Sequence, residues 1–376
     1  MYVDINPSQG SLEEKVDQNS FVIGVLAAKS RRRLKKSLHE LRHLGDGYKN
    51  VRIIAFYLIG IDREKRLVEG YIYDPFEKGW RPSILPIPYA VINRIGLTTD
   101  WQIFFRKTLG SRMINNFTFN KWEMYKWLSI HSGLNRHLPK THLITSPQDI
   151  VDFLDEWKEA YIKPVSGSYG KGIFKVTKQG ENFKVVTSRQ KKEKHTLFFN
   201  KEELVNYFKK RCKKKGYLVQ QVINLYVRDI PIDFRVIMVK DNLEEWNNLG
   251  MIARKGRKEG IVSNTGLVKR GNPSLQNLLS MSKYEAIQLR QEMSDLSFEA
   301  VHHMEKFGGT FGNLGNVGFD LAIDRNRNLW IIEINHRNPR HLMAVDAGDD
   351  HIFVNANKLI MDYAVHLAKS KILKRD

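Results

Sequence analysis

Short apolar runs alternate with amphipathic segments along the chain, and this pattern predicts a mixed α/β fold. Apolar runs typical of buried strands occupy residues 21–27, 51–61 and 67–73. A basic helix is expected between the first two runs, at residues 31–43, and a proline-punctuated extended segment at residues 82–92. Residues 1–20 are polar and are expected to form a loose arm. The pattern therefore predicts a small N-terminal α/β domain, residues 1–112.

Capping residues mark the start of several helices further along the chain. A capping side chain, or a serine before proline, opens predicted helices at Asn120, Ser146, Asn200 and Ser282. We expect the first of these helices to end at Gly133, the last to reach Lys306, and a final helix to cover residues 353–372. Strands are predicted at residues 217–223 and 233–240. These elements predict a second α/β region after the N-terminal domain.

A glycine-rich loop lies between two short predicted strands in the segment YIKPVSGSYGKGIFKV, residues 161–176. Three glycines and two serines fall within seven residues: Ser166, Gly167, Ser168, Tyr169, Gly170, Lys171 and Gly172. Glycines let successive backbone N–H groups point at one anion, and Lys163 and Lys171 are placed to reach phosphate. The spacing is not that of a Walker A loop, which leads into a helix. The segment is a candidate anion-binding loop, and a flexible glycine hairpin is the alternative.

The segment GFDLAIDRNRNLWIIEIN, residues 318–335, predicts a β-hairpin. Two β-rich runs flank a polar turn at residues 325–328. If these four residues form the whole loop, Asp324 and Leu329 on either side of it pair with each other. This register decides which side chains of the hairpin share a face.

In that register Asp320 lies opposite Glu333, and Asn335 shares their face. Directly opposed Cβ atoms are only about 5 Å apart, so the two carboxylates repel unless a proton or a cation lies between them. Carboxylate and carboxamide oxygens suit Mg²⁺ better than Zn²⁺. The hairpin is therefore a candidate metal site, and an edge hairpin with incidental surface acids is the alternative.

Composition excludes several classes of protein. The chain has 376 residues, 42% of them hydrophobic and 11% aromatic, which favours a sizeable core over disorder. Its single cysteine, Cys212, excludes an intramolecular disulfide framework and a cysteine-rich zinc site, and a reducing, cytoplasmic location is expected. No apolar run approaches the roughly 20 residues of a membrane span, and no compact apolar signal opens the chain. Neither a transmembrane segment nor a signal peptide is expected.

The formal net charge of the chain is +20 at pH 7. Such a surface attracts polyanions such as nucleic acid, acidic polymers or anionic membrane, and solvated helix faces are the alternative. No nucleic-acid motif accompanies the charge, so specific nucleic-acid binding is not expected. The histidines occur without a supporting cysteine or an H-E-x-x-H pattern and do not predict a metal site.

The order of these motifs resembles that of the ATP-grasp superfamily over about residues 113–370. A lysine on a capped helix is followed by K-P and the glycine loop, Q-Q-V-I, D-F-R-V, a polar S-N-x-x-G loop and D-x₁₂-E-x-N. With the W-R-P…L-P-I-P-Y…N-R-I segment at residues 80–95, the whole chain resembles the endospore coat-associated YheC/YheD family. The resemblance implies an α/β (α+β) ATP-grasp domain at residues 113–376, with a lid subdomain at about residues 138–222 and an N-terminal pre-ATP-grasp domain.

The resemblance also implies roles for particular residues. The phosphates of ATP would contact Lys121 and Lys163, and the loop at residues 166–172 would close over them. The strand that holds adenine would contain Gln220, Gln221, Val222 and Ile223, although such strands often have an acid in place of Gln221. Mg²⁺, with Mn²⁺ as the alternative, would be bound by Asp320, Glu333 and Asn335. The transferred phosphate would contact Arg235, Arg254 and Asn264, with Lys255 or Arg257 as substitutes for Arg254.

The implied function is an ATP- and Mg-dependent ligase that joins a carboxylate to an amine or related nucleophile through an acyl phosphate, releasing ADP and phosphate. Its partners would be those substrates, with an acidic peptide or polymer and spore-coat proteins as further candidates, in the cytoplasm or at the forming spore coat. One alternative is a coat-associated structural or interaction protein that binds ATP without turnover. Another is a polyanion-binding protein whose basic surface is the function.

Overall fold

The computed structural model describes residues 21–45, 48, 51–167, 170–188, 194–212, 216–225, 227, 230–258, 260–261, 263 and 266–372. The arm predicted for residues 1–20 lies outside these described residues. Within the described part of the chain, the strands form three sheets on which the helices pack.

The first sheet contains the N-terminal strands, and its central strands are buried on both faces. Its strands are β1 (Phe21–Ala28), β2 (Val51–Asp62), β3 (Leu67–Asp74), β4 (Gly79–Pro86), β5 (Ala90–Asn93) and β6 (Met113–Ile114), in the order β4-β3-β2-β1-β5-β6. Pairing is parallel from β2 to β6 and antiparallel from β2 to β4. Helices α1 (Arg31–Leu41) and α2 (Thr99–Leu109) cover opposite faces. Burial on both faces explains the continuous apolar runs that predicted β1 to β3, whereas α2 was not predicted.

Two helices connect the first sheet to the second. In α3 (Lys121–Ser129), Asn120 Oδ1 accepts hydrogen bonds from the backbone of Trp122 and Glu123, and Glu123 Oε2 accepts one from Asn120 N at 2.8 Å. This is the predicted capping box. The helix ends before Gly133, which lies inside the short α4 (Ser132–Asn135) rather than at a helix end. The predicted end was therefore wrong by about one turn.

The second sheet is antiparallel and carries the glycine-rich loop. Its strands are β7 (Thr141–Ile144), β8 (Glu159–Pro164), β9 (Phe174–Gln179), β10 (Asn182–Ser188), β11 (Lys194–Phe199) and β12 (Tyr217–Gln221), in the order β11-β10-β9-β8-β12-β7. Helices α5 (Gln148–Trp157) and α6 (Lys201–Cys212) share one apolar core with this sheet. The glycine-rich loop connects β8 with β9, as predicted. Strands β7, β10 and β11 were not predicted.

The third sheet is also antiparallel and contains the acidic hairpin. Its strands are β13 (Ile232–Lys240), β14 (Trp246–Lys255), β15 (Leu267–Arg270), β16 (Asn316–Ile323) and β17 (Leu329–Asn335), in the order β15-β14-β13-β16-β17. Its helices are α7 (Gly271–Leu279), α8 (Lys283–Glu305), α9 (Met343–Asp346) and α10 (Asp350–Ile372). Helix α8 begins with the capping box predicted at Ser282.

The two faces of the central strand β13 have different surroundings. Phe234, Val236 and Met238 share an apolar core with helix α8. On the opposite face, Ile237 and Val239 pack in the core that contains α10. That second core also includes β1 and β5, so α10 joins the third sheet to the first. Towards the start of β13, the face opposite α8 is polar. The candidate site lies there.

The acidic hairpin has a longer loop than the sequence predicted. Ile323, not Asp324, pairs with Leu329, so the loop contains five residues rather than four. The reason is the carboxylate of Asp324, whose Oδ1 accepts hydrogen bonds from the backbone N–H groups of Asn326 and Asn328, both at 2.9 Å. These bonds hold Asp324 in the loop instead of in the strand pair.

A β-bulge restores the predicted pairing of the two acids. Leu321 pairs with Ile331, but the next pair along is Asp320 with Glu333. Ile332 is therefore the extra residue on β17 and has no partner across the hairpin. The bulge shifts the register by one residue, which cancels the effect of the longer loop. Asp320 and Glu333 face each other, as predicted.

None of the helices in the described part of the chain is both long and apolar enough to span a membrane.

Candidate active site

A cleft of about 150 Å³ lies between the second and third sheets. The second sheet and its glycine loop contribute Tyr161, Lys163, Gly170, Lys171, Gln220 and Gln221 to the walls. The third sheet contributes Asp233, Arg254, Asp320, Ala322, Ile332 and Glu333. Lys121, the first residue of α3, also lines the cleft. The cleft therefore brings together the glycine loop, both predicted lysines and the acidic hairpin.

One wall of the cleft is apolar. It is formed by Ile173, Ile223, Leu225, Ile232, Ala322 and Ile332. Of the residues predicted to hold adenine, Gln220, Gln221 and Ile223 line the cleft and Val222 does not. The side chain of Gln221 accepts a hydrogen bond from Lys140 N at 3.1 Å. An apolar wall beside polar strand ends suits a planar heterocyclic ring.

Lys121 connects the glycine loop with the acidic hairpin. Its Nζ donates to Glu333 Oε1 at 2.8 Å and to the carbonyl oxygen of Gly167 at 3.1 Å. Its backbone N–H donates to the carbonyl of Val165 at 3.1 Å. The charge of Glu333 is therefore matched by a lysine from a different part of the chain.

Lys163 is a cation with a neutral hydrogen-bond partner. Its Nζ donates to Gln220 Oε1 at 2.5 Å and lies 5.1 Å from the centre of the Tyr161 ring. Burial, together with the nearby charge of Lys121, lowers the pKa of Lys163 to about 8, although Glu333 acts in the opposite direction. A partly compensated cation of this kind favours the binding of an anion.

The glycine loop uses the backbone freedom that its composition provides. Gly170 and Gly172 have φ angles of 69° and 76°, in the left-handed region that favours glycine. Ser166 and Gly167 are exposed. Ser168, a predicted loop contact, lies outside the described residues. The described part of the loop borders the cleft at Gly167, Gly170 and Lys171.

Asp320 is held between two buried arginines. Arg235 Nε donates to Oδ1 at 2.7 Å, and Arg254 Nη2 lies 2.8 Å from Oδ2. Asn335 Nδ2 also donates to Oδ2, at 3.0 Å. Burial opposes ionisation of Asp320, but Arg235 and Arg254 outweigh this effect and lower its pKa to about 2. The repulsion expected between Asp320 and Glu333 is thus relieved by arginine and lysine side chains.

Asp233 belongs to the site although the sequence analysis assigned it no role. Arg254 donates Nε to Asp233 Oδ1 at 2.5 Å and Nη2 to Oδ2 at 2.7 Å, and Ser263 also donates to this carboxylate. Burial raises the pKa of Asp233, against the influence of Arg254. The signal was present in the D-F-R-V motif, because Asp233 and Arg235 point to the same face of β13. Asn264, the third predicted phosphate contact, lies outside the described residues.

Arg254 rather than its neighbours occupies the site. Its side chain is 6% exposed and contacts both Asp233 and Asp320. Arg257, one of the two substitutes that the sequence allowed, is exposed, and neither it nor Lys255 lines the cleft.

A second pocket, of about 360 Å³, adjoins the cleft. The two share Lys121, Gly167, Arg254, Asp320 and Glu333. Beyond these residues the second pocket is lined by Ser166, Arg235, Asn335, His336, Arg337 and Arg340. The acids and their cationic partners therefore lie where the cleft and the second pocket meet.

The chemistry of the side chains fits Mg²⁺ and a phosphate chain. Asp320, Glu333 and Asn335 offer carboxylate and carboxamide oxygens, which Mg²⁺ prefers. Among the described residues, no cluster of three or more histidine, cysteine, aspartate or glutamate side chains could hold a metal. The lysines and the glycine loop fit phosphate oxygens.

The fold is that of the ATP-grasp ligases. The structure of D-alanyl-alanine synthetase A from Vibrio cholerae O1 biovar eltor superposes with a TM-score of 0.58, covering 95% of this chain and 99% of that one, at 11% sequence identity. At this identity the similarity defines the fold alone.

The chain belongs to the YheC/D-like ATP-grasp family, whose model matches residues 110–367. It is 25% identical over 329 residues to the endospore coat-associated protein YheD of Bacillus subtilis (strain 168), covering 83% of this chain and 70% of YheD. It is 23% identical over 302 residues to the endospore coat-associated protein YheC of the same strain, covering 76% of this chain and 80% of YheC. The family and the fold confirm the resemblance found in the sequence.

Proposed function

We propose that this protein is an ATP- and Mg²⁺-dependent ligase that activates a carboxylate as an acyl phosphate and joins it to an amine or a related nucleophile. The observation that carries the proposal is the meeting of two pockets at shared residues: Lys121, Gly167, Arg254, Asp320 and Glu333. A phosphate donor in the cleft and an acceptor in the second pocket would face each other across them.

The cleft is proposed as the ATP site. Adenine would lie against the apolar wall near Gln221 and Ile223, and the phosphates would bind Lys121, Lys163 and the glycine loop. This orientation places the charged end of the nucleotide beside the acidic hairpin. Lys163 supports it most directly, since its charge is compensated only in part.

In the first step, an oxygen of the substrate carboxylate would attack the γ-phosphorus, the bond to the β–γ bridging oxygen would break, and ADP would leave. Arg235 and Arg254, which both contact Asp320, would hold positive charge beside this position. Mg²⁺ bound by Asp320, Glu333 and Asn335 would neutralise phosphate charge. The glycine loop would exclude water while the phosphoryl group is transferred.

In the second step, the nitrogen of the amine would attack the carbonyl carbon of the acyl phosphate. The C–N bond forms, inorganic phosphate leaves, and the proton of the amine passes to solvent. This route needs no side-chain nucleophile.

A coat-associated protein that binds ATP without turnover is the second candidate. The printed names of the two relatives favour a spore-coat setting, and we propose that setting for this chain as well. The two arginines beside the acids, Arg235 and Arg254, favour an enzyme, because binding of Mg·ATP alone does not require arginines between the two pockets.

A carboxylate screen with hydroxylamine as the nucleophile tests the proposal. Hydroxylamine intercepts an acyl phosphate as a hydroxamate, so the natural acceptor is not required. We expect ADP, phosphate and hydroxamate in equal amounts for an active carboxylate. Stoichiometric AMP and pyrophosphate would refute the acyl-phosphate route. ATP binding without ADP release for any carboxylate would support the second candidate.

A further inference from the structure

The second pocket carries an excess of positive charge. Five cationic side chains line it, Lys121, Arg235, Arg254, Arg337 and Arg340, against the two carboxylates of Asp320 and Glu333. The inner charges are matched within the protein, because Lys121 contacts Glu333, and Arg235 and Arg254 contact Asp320 and Asp233. Arg337 and Arg340, on the loop that follows β17, add further positive charge to this pocket.

Arg337 contributes most clearly to the excess of positive charge in the second pocket. Among the described residues, the carboxylate that acts on it is Glu123, which already accepts a hydrogen bond from Asn120 N at 2.8 Å. A guanidinium in this position gains free energy when an anion enters the pocket and binds it.

Residues of the N-terminal domain hold the loop that follows β17 in place. A Cβ atom at Gly96 would lie 2.9 Å from Nη1 of Arg337, so a larger residue at this position would require the guanidinium to shift. Arg94 Nη2 donates to Asn338 Oδ1 at 2.5 Å. Arg94 belongs to the N-R-I segment and Gly96 follows it directly, and the ligase mechanism gives neither residue a role. Gly96 therefore packs beside Arg337 itself, and Arg94 holds the next residue of the same loop.

We propose that the second pocket binds a substrate with at least two carboxylates, one of which is phosphorylated beside Asp320 and Glu333 while the other is bound by Arg337. This inference rests on the proposed ligase function, since it names the substrate class of the same site. Free dicarboxylic acids and acidic peptides share the chemistry. A substrate with a single carboxylate would leave Arg337 without its anion.

Two matched pairs of compounds test the proposal on the full chain. Glutarate is compared with its monoamide, and N-acetyl-Glu-Glu-amide with N-acetyl-Glu-Gln-amide, so that each pair differs by one charge. Binding is measured by calorimetry with and without Mg²⁺ and a non-hydrolysable ATP analogue. We expect at least one diacid to bind about tenfold more tightly than its monoamide, the effect of a charge-assisted hydrogen bond. The stronger pair shows whether the source is a small acid or a peptide.

Four variants locate the second anion. Arg337→Gln should abolish the preference for the diacid, and Arg337→Lys should restore part of it. Arg290→Gln removes the same charge from an exposed position on α8, outside both pockets, and should leave the preference intact. Gly96→Ala keeps the charge but displaces the guanidinium, so it should weaken diacid binding several-fold.

The outcomes separate this inference from the ligase proposal. Equal binding of diacid and monoamide, no binding of any probe, or an unchanged preference in Arg337→Gln overturns the inference. ADP release that occurs with equal KM for both members of a pair supports the ligase and overturns the inference. Selective, Arg337-dependent diacid binding without ADP release supports the binding of two carboxylates in the second pocket, and counts against the ligase and against phosphorylation of either carboxylate.

Discussion

Arg235 binds Asp320 through two hydrogen bonds, from Nε to Oδ1 at 2.7 Å and from Nη2 to Oδ2 at 2.9 Å. The two side chains are only 7% and 5% exposed. The strongest candidate for a Mg²⁺ ligand is thus also the carboxylate that neutralises a buried arginine. Asp320 therefore has a structural role besides its proposed role as a Mg²⁺ ligand. Variants of Asp320 and Glu333 should consequently behave differently.

Asp320→Asn should lower the free energy of unfolding by about 3–5 kcal/mol, because it leaves the charges of Arg235 and Arg254 buried with less compensation. Glu333→Gln is the matched control on the same hairpin face. Its partner Lys121 and Glu333 itself are 17% and 31% exposed, so this change should cost within about 1 kcal/mol. Urea unfolding without nucleotide measures both values.

Both substitutions should nevertheless abolish the stabilisation that Mg·ATP gives the wild-type protein, since each removes a proposed metal ligand. Thermal unfolding with and without Mg·ATP tests this expectation. If Glu333→Gln melts far below the wild type without ligand, then the acid is chiefly structural. Retention of Mg·ATP stabilisation by both variants would contradict the metal site.

Lys163 should make ATP binding dependent on pH. Phosphate binds the protonated lysine, so ATP raises a pKa that is about 8 in the free protein. Affinity should be constant below that pH and fall by up to about tenfold per pH unit above it. Arg remains protonated, and Lys163→Arg should therefore bind with little pH dependence.

Calorimetry in two buffers of different ionisation enthalpy provides the measurement. At pH 8.5 the wild type should take up a fraction of a proton on binding ATP. Lys163→Arg should take up less. Equal proton uptake by the two proteins would show that another group is responsible.

The glycine loop can be tested with two substitutions of equal backbone cost. Gly172 and Gly180 have φ angles of 76° and 62°, and alanine at either position costs roughly 1–2 kcal/mol in a left-handed conformation. A Cβ at Gly172 would meet no atom closer than 3.5 Å, and one at Gly180 would meet none within 4 Å. Steric clashes therefore do not distinguish the two sites.

Gly172→Ala should weaken ATP binding several-fold, because it restricts the loop proposed to cover the phosphates. Gly180→Ala lies in the β9–β10 turn and should lower stability by a similar amount without changing ATP affinity. Calorimetric titration with ATP compares them. Equal affinities for ATP in both variants would argue for a flexible hairpin without a binding role.

The sequence predicted the pairing of Asp320 with Glu333 through two errors that cancel. The alternation of apolar and polar residues indicated a hairpin, but it could not reveal that Asp324 folds into the loop. Nor could it locate the bulge at Ile332, since a bulge changes the register without changing the composition of the strand. The predicted pair, Asp320 and Glu333, is therefore correct, although the predicted register was wrong at the loop.

Contacts between distant strands were beyond the reach of the sequence. Arg254 and Asp320 meet because β14 and β16, far apart in the chain, flank β13 in the sheet. The position of Arg337 depends on Gly96, from another sheet. Local patterns predict strands, caps and the glycine loop, whereas such pairs depend on packing between elements far apart in the chain. The proposed division into domains at residue 112 stays a prediction, and the core that α10 shares with the first sheet crosses it.

Arg254→Lys tests the proposed role in phosphoryl transfer. Lysine keeps the positive charge but cannot bridge Asp233 and Asp320 with a planar guanidinium, as Arg254 does at 2.5 and 2.8 Å. If Arg254 stabilises the transferred phosphoryl group, then kcat for ADP release should fall by about 10²–10³, as for the loss of one positioned donor. The KM for ATP should change by less than about threefold, because the lysines and the glycine loop bind the nucleotide.

Arg257→Lys, three residues further on at an exposed position, is the control and should retain full activity. Urea unfolding of both variants separates a loss of fold from a loss of catalysis. A rise in KM with unchanged kcat would assign Arg254 to ground-state binding instead of to the transfer step.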